Sequence, residues 1–553
     1  MPLVDYDVIV IGSGAGGLAA ALPLAQKGLK VLVLEQHNRP GGWTHSFTKQ
    51  GYKFSPGVHY IGSLQPGESL RGVYEGLGVS ADLAFCEINP QGYDHIYIGQ
   101  ERFDYPRGRE ALADSLKSRF PAEAEGIDGY LDMVNKLVQG MHDLGHLTNP
   151  VRAAQAVPAA GSILRWGLRS AQQLVDHFVS DPLLKGFLLG QAGDHGMPPS
   201  QVSALTQASV THHYFNGAFY PVGGSMAIPD AFVKVLVNAG GELRLRTRVE
   251  RILLEGRKAV GVRLEDGTEI RSRYVISNAD VGITFNRLVG REHLSAKLQR
   301  KLDQVTYSTS TLSLFFATDM DLRAAGLDSG NNWYYDHADL EALYQAGLGD
   351  RSLHTPTPEM IFLTCTTLKD PSKMVKGHHT CEAFTFVGYE PFAKWADSKH
   401  KERPDDYNAL KEDLAWRMIL GLEKRLPGLS KHIVYWSLGT PLTIQHYINS
   451  TYGNLYGTAK NIKQLGPWGF GTTTEFEGLL MCGASTQSHG VAGVTATGLA
   501  AARRILNCST SDLLTRDGPE LKIYPSEDTS QWPEEMRQQI SIGSLKDDDR
   551  KPV

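Results

Sequence analysis

The clearest pattern of apolar and polar segments lies at the start of the chain. Asp7–Ile11 and Lys30–Leu34 are short apolar runs rich in β-branched residues, and Leu18–Lys27 between them is a helix-forming stretch. Apolar runs of this length, bounded by turn residues, are typical of buried strands. The pattern predicts a strand–helix–strand unit with two parallel strands.

Glycines and one acid mark the ends of the elements in this unit. Gly12-Ser13-Gly14-Ala15-Gly16-Gly17 follows the first strand directly, and Glu35 ends the second. Gly12 permits a tight turn, Gly14 lets the backbone approach a diphosphate, and Gly17 allows helix and strand to pack closely. The helix start attracts phosphate, and the Glu35 carboxylate can accept hydrogen bonds from ribose hydroxyls. The unit therefore predicts a dinucleotide-binding site.

A further glycine pair follows the acid, in the segment Gln36–Trp43 with Pro40-Gly41-Gly42 near its end. In flavoproteins two glycines at this point let the chain fold back over the diphosphate and ribityl chain. A surface turn is the alternative, because Pro-Gly pairs mark turns in general. The loop favours a flavin over a nicotinamide cofactor.

The far end of the chain repeats the order strand, glycine-rich loop, helix. Leu479–Met481 is apolar, Cys482–Val494 contains Gly483, Ala484 and Val491, and Thr495–Leu506 is a helix of small residues. Such a loop can bring backbone N–H groups to a phosphate or to a pyrimidine carbonyl. The alternative is a connection before a buried alanine-rich helix that needs small residues for packing.

A third part of the same domain is predicted in the middle of the chain. The pattern indicates a helix over Ser225–Ala239, a strand over Glu242–Leu253, and two strands over Ala259–Leu264 and Glu269–Ile276. Asp266-Gly267 joins the last two, and Asp-Gly between alternating apolar runs is a strong hairpin signal.

Together these motifs resemble the phytoene desaturase-type flavoproteins, in the branch of retinol saturases and carotenoid isomerases. The likeness extends through Phe54–Gly62, Tyr220–Ser225, Ser277–Asp280 and Gly439–Gly457. It implies FAD as the cofactor and adds three neighbours of that cofactor: Gln36, Trp43 and the backbone of Val249. The family often has a basic residue where Trp43 and Thr44 stand, and an acid where Ala484 stands.

The resemblance implies an α/β fold in which a discontinuous Rossmann-like FAD-binding domain carries an α+β substrate domain. We expect residues 1–61, 220–284 and 446–510 in the FAD-binding domain, and 62–219 and 285–445 in the substrate-binding region. At 553 residues the chain is too long for one hydrophobic core. The polar segment 516–553 is predicted to be a disordered tail.

The amino-acid composition and net charge limit the classes of partner that the protein can bind. A net charge of −5 gives no basic surface for nucleic acid. Five scattered cysteines form no disulfide framework, and His378-His379-Thr380-Cys381 lacks a second ligand pair, so no metal is expected. The first strand leaves no room for a signal peptide, and no apolar run is long enough to span a bilayer. These observations favour a cytoplasmic protein.

One segment of the substrate region mixes apolar anchors with arginines. Val151–Val179 contains Trp166 and Leu168 beside Arg165 and Arg169. This mixture suits a helix lying on a lipid surface, with peripheral membrane contact. A cap helix that faces the protein core is the alternative and is favoured by amphipathicity alone.

The cofactor and the resemblance predict an enzyme that acts on carbon–carbon double bonds of a hydrophobic polyene or lipid, such as a retinoid, carotenoid or unsaturated fatty acid. Hydride transfer through flavin N5 supports saturation, desaturation or isomerisation. An amine oxidase and a non-catalytic flavin- or lipid-binding protein are the alternatives. The sequence does not indicate the redox partner.

Two histidines are candidates for the proton that accompanies hydride addition. His59 follows the flavin motif, and His489 lies in the C-terminal glycine-rich loop. A histidine can donate a proton near neutral pH. The alternative is that each only hydrogen-bonds the backbone or the cofactor.

Overall fold

The computed structural model describes residues 4–144 and 160–544. Its strands are β1 (Tyr6–Ile11), β2 (Val31–Leu34), β3 (Phe47–Lys49), β4 (Tyr52–Phe54), β5 (Ala84–Glu87), β6 (Asp94–Ile98), β7 (Glu101–Tyr105), β8 (Phe219–Pro221), β9 (Glu242–Arg244), β10 (Val249–Glu255), β11 (Lys258–Leu264), β12 (Glu269–Ser277), β13 (Ser310–Thr318), β14 (Asn331–Tyr335), β15 (Met360–Cys365), β16 (His379–Val387), β17 (Ile433–Gly439), β18 (Leu479–Met481) and β19 (Lys522–Pro525).

The helices complete the list of elements. They are α1 (Ala15–Gln26), α2 (Ser69–Gly76), α3 (Arg109–Arg119), α4 (Ala124–Leu144), α5 (160–167), α6 (Ala171–Phe178), α7 (Pro182–Leu188), α8 (Ala204–His213), α9 (Ala227–Asn238), α10 (Ala296–Asp303), α11 (Leu340–Leu348), α12 (Thr366–Lys369), α13 (Asp405–Glu423), α14 (Leu429–His432), α15 (Pro441–Ile448), α16 (Gly490–Leu506) and α17 (Glu534–Ser544).

The first sheet draws its strands from three distant parts of the chain. Strands β9, β2, β1, β12 and β18 lie side by side in parallel, and β10 and β11 extend β12 as an antiparallel meander. Val8, Ile9 and Val10 of β1 are fully buried because both faces of the sheet are covered. This arrangement confirms the predicted α/β fold with a discontinuous Rossmann-like domain.

Small residues let two helices of this domain come close together. Helices α1 and α16 pack against each other, and a Cβ on Gly498 would lie 2.2 Å from the carbonyl oxygen of Gly16. No side chain fits in that space. The alanine-rich composition of both helices therefore serves this packing.

The second sheet has the strand order β17-β13-β16-β15-β14-β6-β7. Helices α3, α4 and α6–α8 contribute to a large apolar core on one side, with Trp166 and Trp333 fully buried in it. Helix α13 contributes to a separate core with Leu414, Met418 and Ile419. Strands β13, β16 and β17 of this sheet reach the cavity described below.

Three boundaries differ from those predicted. The strand expected over Glu242–Leu253 is broken into β9 and β10, with Arg246 in a left-handed conformation at φ 54°. The break lets Thr247 donate its N–H to the Glu35 carbonyl. Helix α9 covers Ala227–Asn238 rather than Ser225–Ala239, and α16 begins at Gly490 rather than at Thr495.

The prediction of a disordered tail is wrong for residues 516–544. Strand β19 pairs in parallel with β5, and α17 follows it. Trp532 is buried and donates its indole N–H to the Pro525 carbonyl at 2.7 Å. An aromatic anchor and a strand edge therefore order a segment whose composition is polar; residues 545–553 lie outside the described part.

Candidate active site

A cavity of about 720 Å³ brings the N-terminal and C-terminal glycine-rich motifs together. Most of the residues predicted to bind the cofactor line it, together with His59. They are Gly12, Gly14, Ala15, Gly16, Glu35, Gln36, Gly41, Gly42, Trp43, Val249, Gly483, Ala484 and Val491. Gly17 and His489 are absent from the lining.

Gly17 lies behind the cavity wall. A Cβ at this position would be 2.1 Å from the carbonyl oxygen of Gly12. Its contribution is therefore close packing of α1 on the turn after β1.

Two helices begin at the cavity. Gly14, just before α1, has no side-chain capping bond, and neither does His489, just before α16. The first N–H groups of a helix lack partners within it and carry partial positive charge. Gly14 and Gly490 both line the cavity, so both helix starts can receive anionic or carbonyl oxygens of a cofactor.

Glu35 is held in place by three hydrogen bonds. Its Oε2 accepts from the Ser13 N–H at 3.0 Å and the Ser13 hydroxyl at 2.6 Å, and its Oε1 accepts from the His37 N–H at 2.8 Å. A buried carboxylate needs such donors. The carboxylate is therefore fixed at the cavity wall, where ribose hydroxyls can reach it.

Asn278 links the two glycine-rich motifs, and no cofactor-binding role was predicted for it. A Cβ on Gly14, Gly16 or Gly483 would lie 2.8, 2.8 or 2.6 Å from its side chain. The glycines therefore leave room for Asn278, which also lines the cavity. Its place directly after β12, at the same sheet edge as the Gly12 turn, was the available signal.

Lys460 fixes the C-terminal loop and was also missed. Its Nζ donates to the carbonyl oxygens of Ala484 at 2.7 Å and Thr486 at 2.8 Å, and to the Thr458 hydroxyl at 3.2 Å. Burial lowers the pKa of Lys460 to about 7. These bonds satisfy the carbonyl groups of Ala484 and Thr486 and fix the position of the loop.

His59 lies between a carboxylate and two aromatic rings. Its Nδ1 donates to Glu382 Oε2 at 3.0 Å, and its ring stacks on Phe384 with centroids 5.8 Å apart. Glu382 is buried, and its other oxygen accepts the Ser55 N–H at 2.5 Å. This pairing fixes the tautomer, so the hydrogen is on Nδ1 when the ring is neutral.

A buried network of polar side chains contacts the backbone carbonyl of this histidine. Lys369 donates to the His59 carbonyl at 2.6 Å and to Asn331 Oδ1 at 2.5 Å, and burial lowers the pKa of Lys369 to about 7. Asn331 in turn donates to Asp94, whose pKa is raised by burial. The network holds the backbone at His59 in place.

His489 is in a different environment. Its Nε2 donates to the backbone carbonyl of Asp194 at 3.0 Å. Burial, together with Lys460 and His195, lowers the pKa of His489 to about 3. A neutral imidazole is a poor proton donor at neutral pH, so these contacts count against the catalytic role predicted for His489, which stays a prediction.

The cavity continues from the glycine motifs to an apolar end. That end is lined by side chains from the second sheet, from α15 and from the segment after it; they are Phe315, Phe384, Leu438, Ile444, Ile448, Leu455 and Tyr456. His59 lies at this end, in contact with Phe384. A polar cradle that leads into an apolar pocket fits a cofactor with a hydrophobic substrate.

No described helix has a stretch of hydrophobic residues sufficient to cross a bilayer. Within the described residues, no group of three histidine, cysteine or acidic side chains could hold a metal ion. The five cysteines are all unpaired.

Comparison with known proteins identifies the family. Residues 15–506 match the model of the flavin-containing amine oxidoreductases. All-trans-retinol 13,14-reductase of Danio rerio is 31% identical over 91% of this chain and 86% of its own length. Prolycopene isomerase of Arabidopsis thaliana is 30% identical over 90% of this chain and 82% of its own.

Solved structures agree on the fold. An oxidoreductase from Methanosarcina mazei is 18% identical, covers 89% of this chain and 99% of its own, and superimposes with a TM-score of 0.61. The predicted resemblance and the FAD cofactor are confirmed. The chain belongs to the family of flavin-containing amine oxidoreductases.

Proposed function

We propose that the protein is an FAD-dependent enzyme that saturates, desaturates or isomerises carbon–carbon double bonds of a hydrophobic polyene or lipid. The observation that carries this proposal is the continuity of the cavity, in which the FAD cradle opens into an apolar pocket beside His59. The activities of the related retinol reductase and prolycopene isomerase support it. Their substrates differ, so the proposal covers the shared chemistry.

Bound FAD supplies a hydride acceptor or donor at N5. The residues Gly14, Gly41 and Gly42 and the start of α16 would hold the cofactor, with Glu35 at its ribose. The apolar side chains Phe384, Ile444 and Leu455 would exclude water and orient an alkene that offers no charge to bind. From the segments that form the first sheet, we also propose that residues 1–61, 220–284 and 446–510 form the FAD-binding domain and residues 62–219 and 285–445 the substrate-binding region.

His59 is proposed as the proton donor. Because Glu382 accepts the hydrogen on Nδ1, the proton available for transfer is the one that Nε2 carries when both ring nitrogens are protonated. Positioned acid–base groups contribute roughly 10²–10⁴ in rate. Replacing His59 with Phe or Gln should lower turnover at least about 100-fold, and the Gln variant keeps a donor towards Glu382. An unchanged rate in both variants, at normal flavin content, would remove His59 from the mechanism.

The function is tested with purified protein and a visible spectrum for bound FAD. The reduced and the oxidised holoenzyme are each incubated anaerobically with retinol, prolycopene or oleate, and mass spectrometry follows the gain or loss of two hydrogens or a change of isomer. Putrescine with oxygen tests amine oxidation through peroxide release. If the polyenes are left unchanged and putrescine yields peroxide, the protein is an amine oxidase and the proposal is wrong.

We further propose a cytoplasmic protein that touches a membrane surface. Five unpaired cysteines support a reducing compartment. Residues 151–159 of the predicted membrane-contacting segment lie outside the described part. Trp166 is buried, and the guanidinium groups of Arg165 and Arg169 lie over its ring. The side chains of Leu164 and Leu168 are 73% and 57% exposed. Those two leucines would enter the lipid. Loss of vesicle binding in Leu164→Ser/Leu168→Ser, with normal flavin content, is the expected result.

A further inference from the structure

Basic side chains gather along one rim of the cavity. His400, Lys401 and Lys411, which come from the start of α13 and the loop before it, line the cavity together with Tyr447 of α15. His400 Nε2 is 3.2 Å from the Tyr447 hydroxyl, and the ring of His446 stacks on His400 with centroids 4.1 Å apart. We call His400, Lys401 and Lys411 the basic rim.

The basic rim has no acidic partner in the described part of the chain. Neither Lys401 nor Lys411 forms a side-chain hydrogen bond or ion pair there, although Lys411 is half-buried. Arg403, in the same loop, has a buried Nη1 without a hydrogen-bond partner among the described residues. Like charges that lie close together without a counter-charge repel one another, and burial also removes part of their hydration; both effects disfavour the charged forms.

The pKa directions agree with that picture. Burial and then Arg403 lower the pKa of Lys411, and no carboxylate opposes them. Burial, His446, Arg403 and the two lysines lower the pKa of His400 to about 4. A bound anion would relieve this excess of positive charge.

The basic rim continues into an apolar surface on α15. Thr443, Ile444, Tyr447 and Ile448 of this helix all line the cavity. Tyr447 contacts the basic rim and also stacks on His37, next to Glu35, with ring centroids 5.5 Å apart, while Ile444 and Ile448 lie on the same helix and line the same cavity as Phe384. A cationic edge beside a hydrocarbon-lined pocket matches an amphiphile with an anionic head.

We propose that the basic rim binds the carboxylate of an acidic lipid, whose hydrocarbon chain lies along Ile444 and Ile448 towards His59. This assignment rests on the proposed function and selects, among its hydrophobic substrates, those with an acid head group. The competing anion is the cofactor diphosphate, for which the helix starts at Gly14 and Gly490 already provide N–H donors.

The test compares two ligands with the same polyene, retinoic acid and retinol, on the holoenzyme. Dissociation constants are measured from quenching of tryptophan fluorescence and from the shift of the flavin spectrum. We expect the acid to bind at least about tenfold more tightly than the alcohol, which corresponds to about 1.4 kcal/mol, because only the acid offers a charged partner to the lysines. The Lys401→Met/Lys411→Met variant should lose this preference, with retinol binding unchanged.

Two further variants make the result specific. Lys411→Arg should retain the preference for the acid because it keeps the charge. Lys431→Met, which changes an exposed lysine at the end of α14, is the matched control and should behave as the unaltered protein.

Equal affinity for acid and alcohol in the unaltered protein would overturn the proposal, as would a preference that survives the double replacement. A fall in FAD affinity without loss of acid preference would assign the basic rim to the cofactor diphosphate. The measurements are of binding, so acid selectivity without any alkene chemistry would refute the proposed function and leave the head-group site standing.

Discussion

The two ends of the cavity are built from contacts that differ greatly in sequence separation. At the cofactor end, the turn after β1, the start of α1 and Glu35 are all supplied by the first 35 residues. At the substrate end, His59 is positioned by Glu382, which is 323 residues further along the chain. The first end can be recognised as a motif, whereas the second exists only after distant parts of the chain have folded together.

This difference explains which kinds of residue each end uses. The cofactor end depends on backbone N–H groups and on the absence of side chains, so glycine is required at fixed spacings. The substrate end depends on side chains from β13, β16 and β17, from α15 and from the segment after it, and many sequences could supply such an apolar wall. Substitutions should therefore separate cofactor binding from catalysis.

The largest effect is expected at the cofactor end, from Gly17→Ala. The added Cβ would lie 2.1 Å from the Gly12 carbonyl oxygen, so backbone must move. We expect at least about 3 kcal/mol of lost stability, at the upper end of overpacking costs, together with loss of bound flavin. Thermal unfolding and the ratio of flavin to protein absorbance measure both effects.

Gly72→Ala is the matched control, because Gly72 is also helical and a Cβ there has no neighbour within 4 Å. It should be neutral or slightly stabilising, since alanine favours helix. Full flavin content and an unchanged melting temperature in Gly17→Ala would show that close packing at the turn is unnecessary.

A second effect concerns His489, which lies directly before α16 and outside the cavity lining. Its folded-state pKa of about 3 lies below the value of about 6.5 for an unfolded chain. Between pH 6.5 and pH 3 this histidine is protonated in the unfolded chain but not in the folded protein. The free energy of unfolding therefore falls as the pH falls below 6.5. The loss between pH 7 and pH 5 is about 2 kcal/mol.

His489→Gln should remove that loss while keeping a donor for the Asp194 carbonyl. Urea unfolding of both proteins at pH 7 and pH 5 makes the comparison, and His354→Gln, at an exposed position, serves as the control. A His489→Gln protein with the same acid destabilisation as the unaltered one would contradict the neutral, buried state of His489.

Much of the cofactor end is predictable from the sequence because the glycine spacings and Glu35 lie within one short motif. Asn278 and Lys460 were not predicted, because their partners lie in other parts of the chain. For Lys460, a single lysine in a loop of small and polar residues does not indicate such a role. At the substrate end, sequence reasoning found His59 but not Glu382. An acid inside the apolar run His379–Val387 was a usable sign, since a carboxylate buried in a strand needs a partner. Trp532 was a similar sign against a disordered tail.

The smallest effect tests the long-range contact itself. Glu382→Gln keeps an oxygen for the Ser55 N–H but loses the negative charge that accepts the His59 hydrogen. We expect turnover to fall about tenfold, corresponding to about 1.4 kcal/mol, with KM and flavin content unchanged, because Glu382 orients His59 rather than contacting the substrate. Glu382→Asp, which retains the charge on a shorter side chain, should recover part of the rate. If Glu382→Gln instead loses flavin, Glu382 supports the cofactor end, and the separation between the two ends fails; if turnover is unchanged, His59 needs no partner to be oriented.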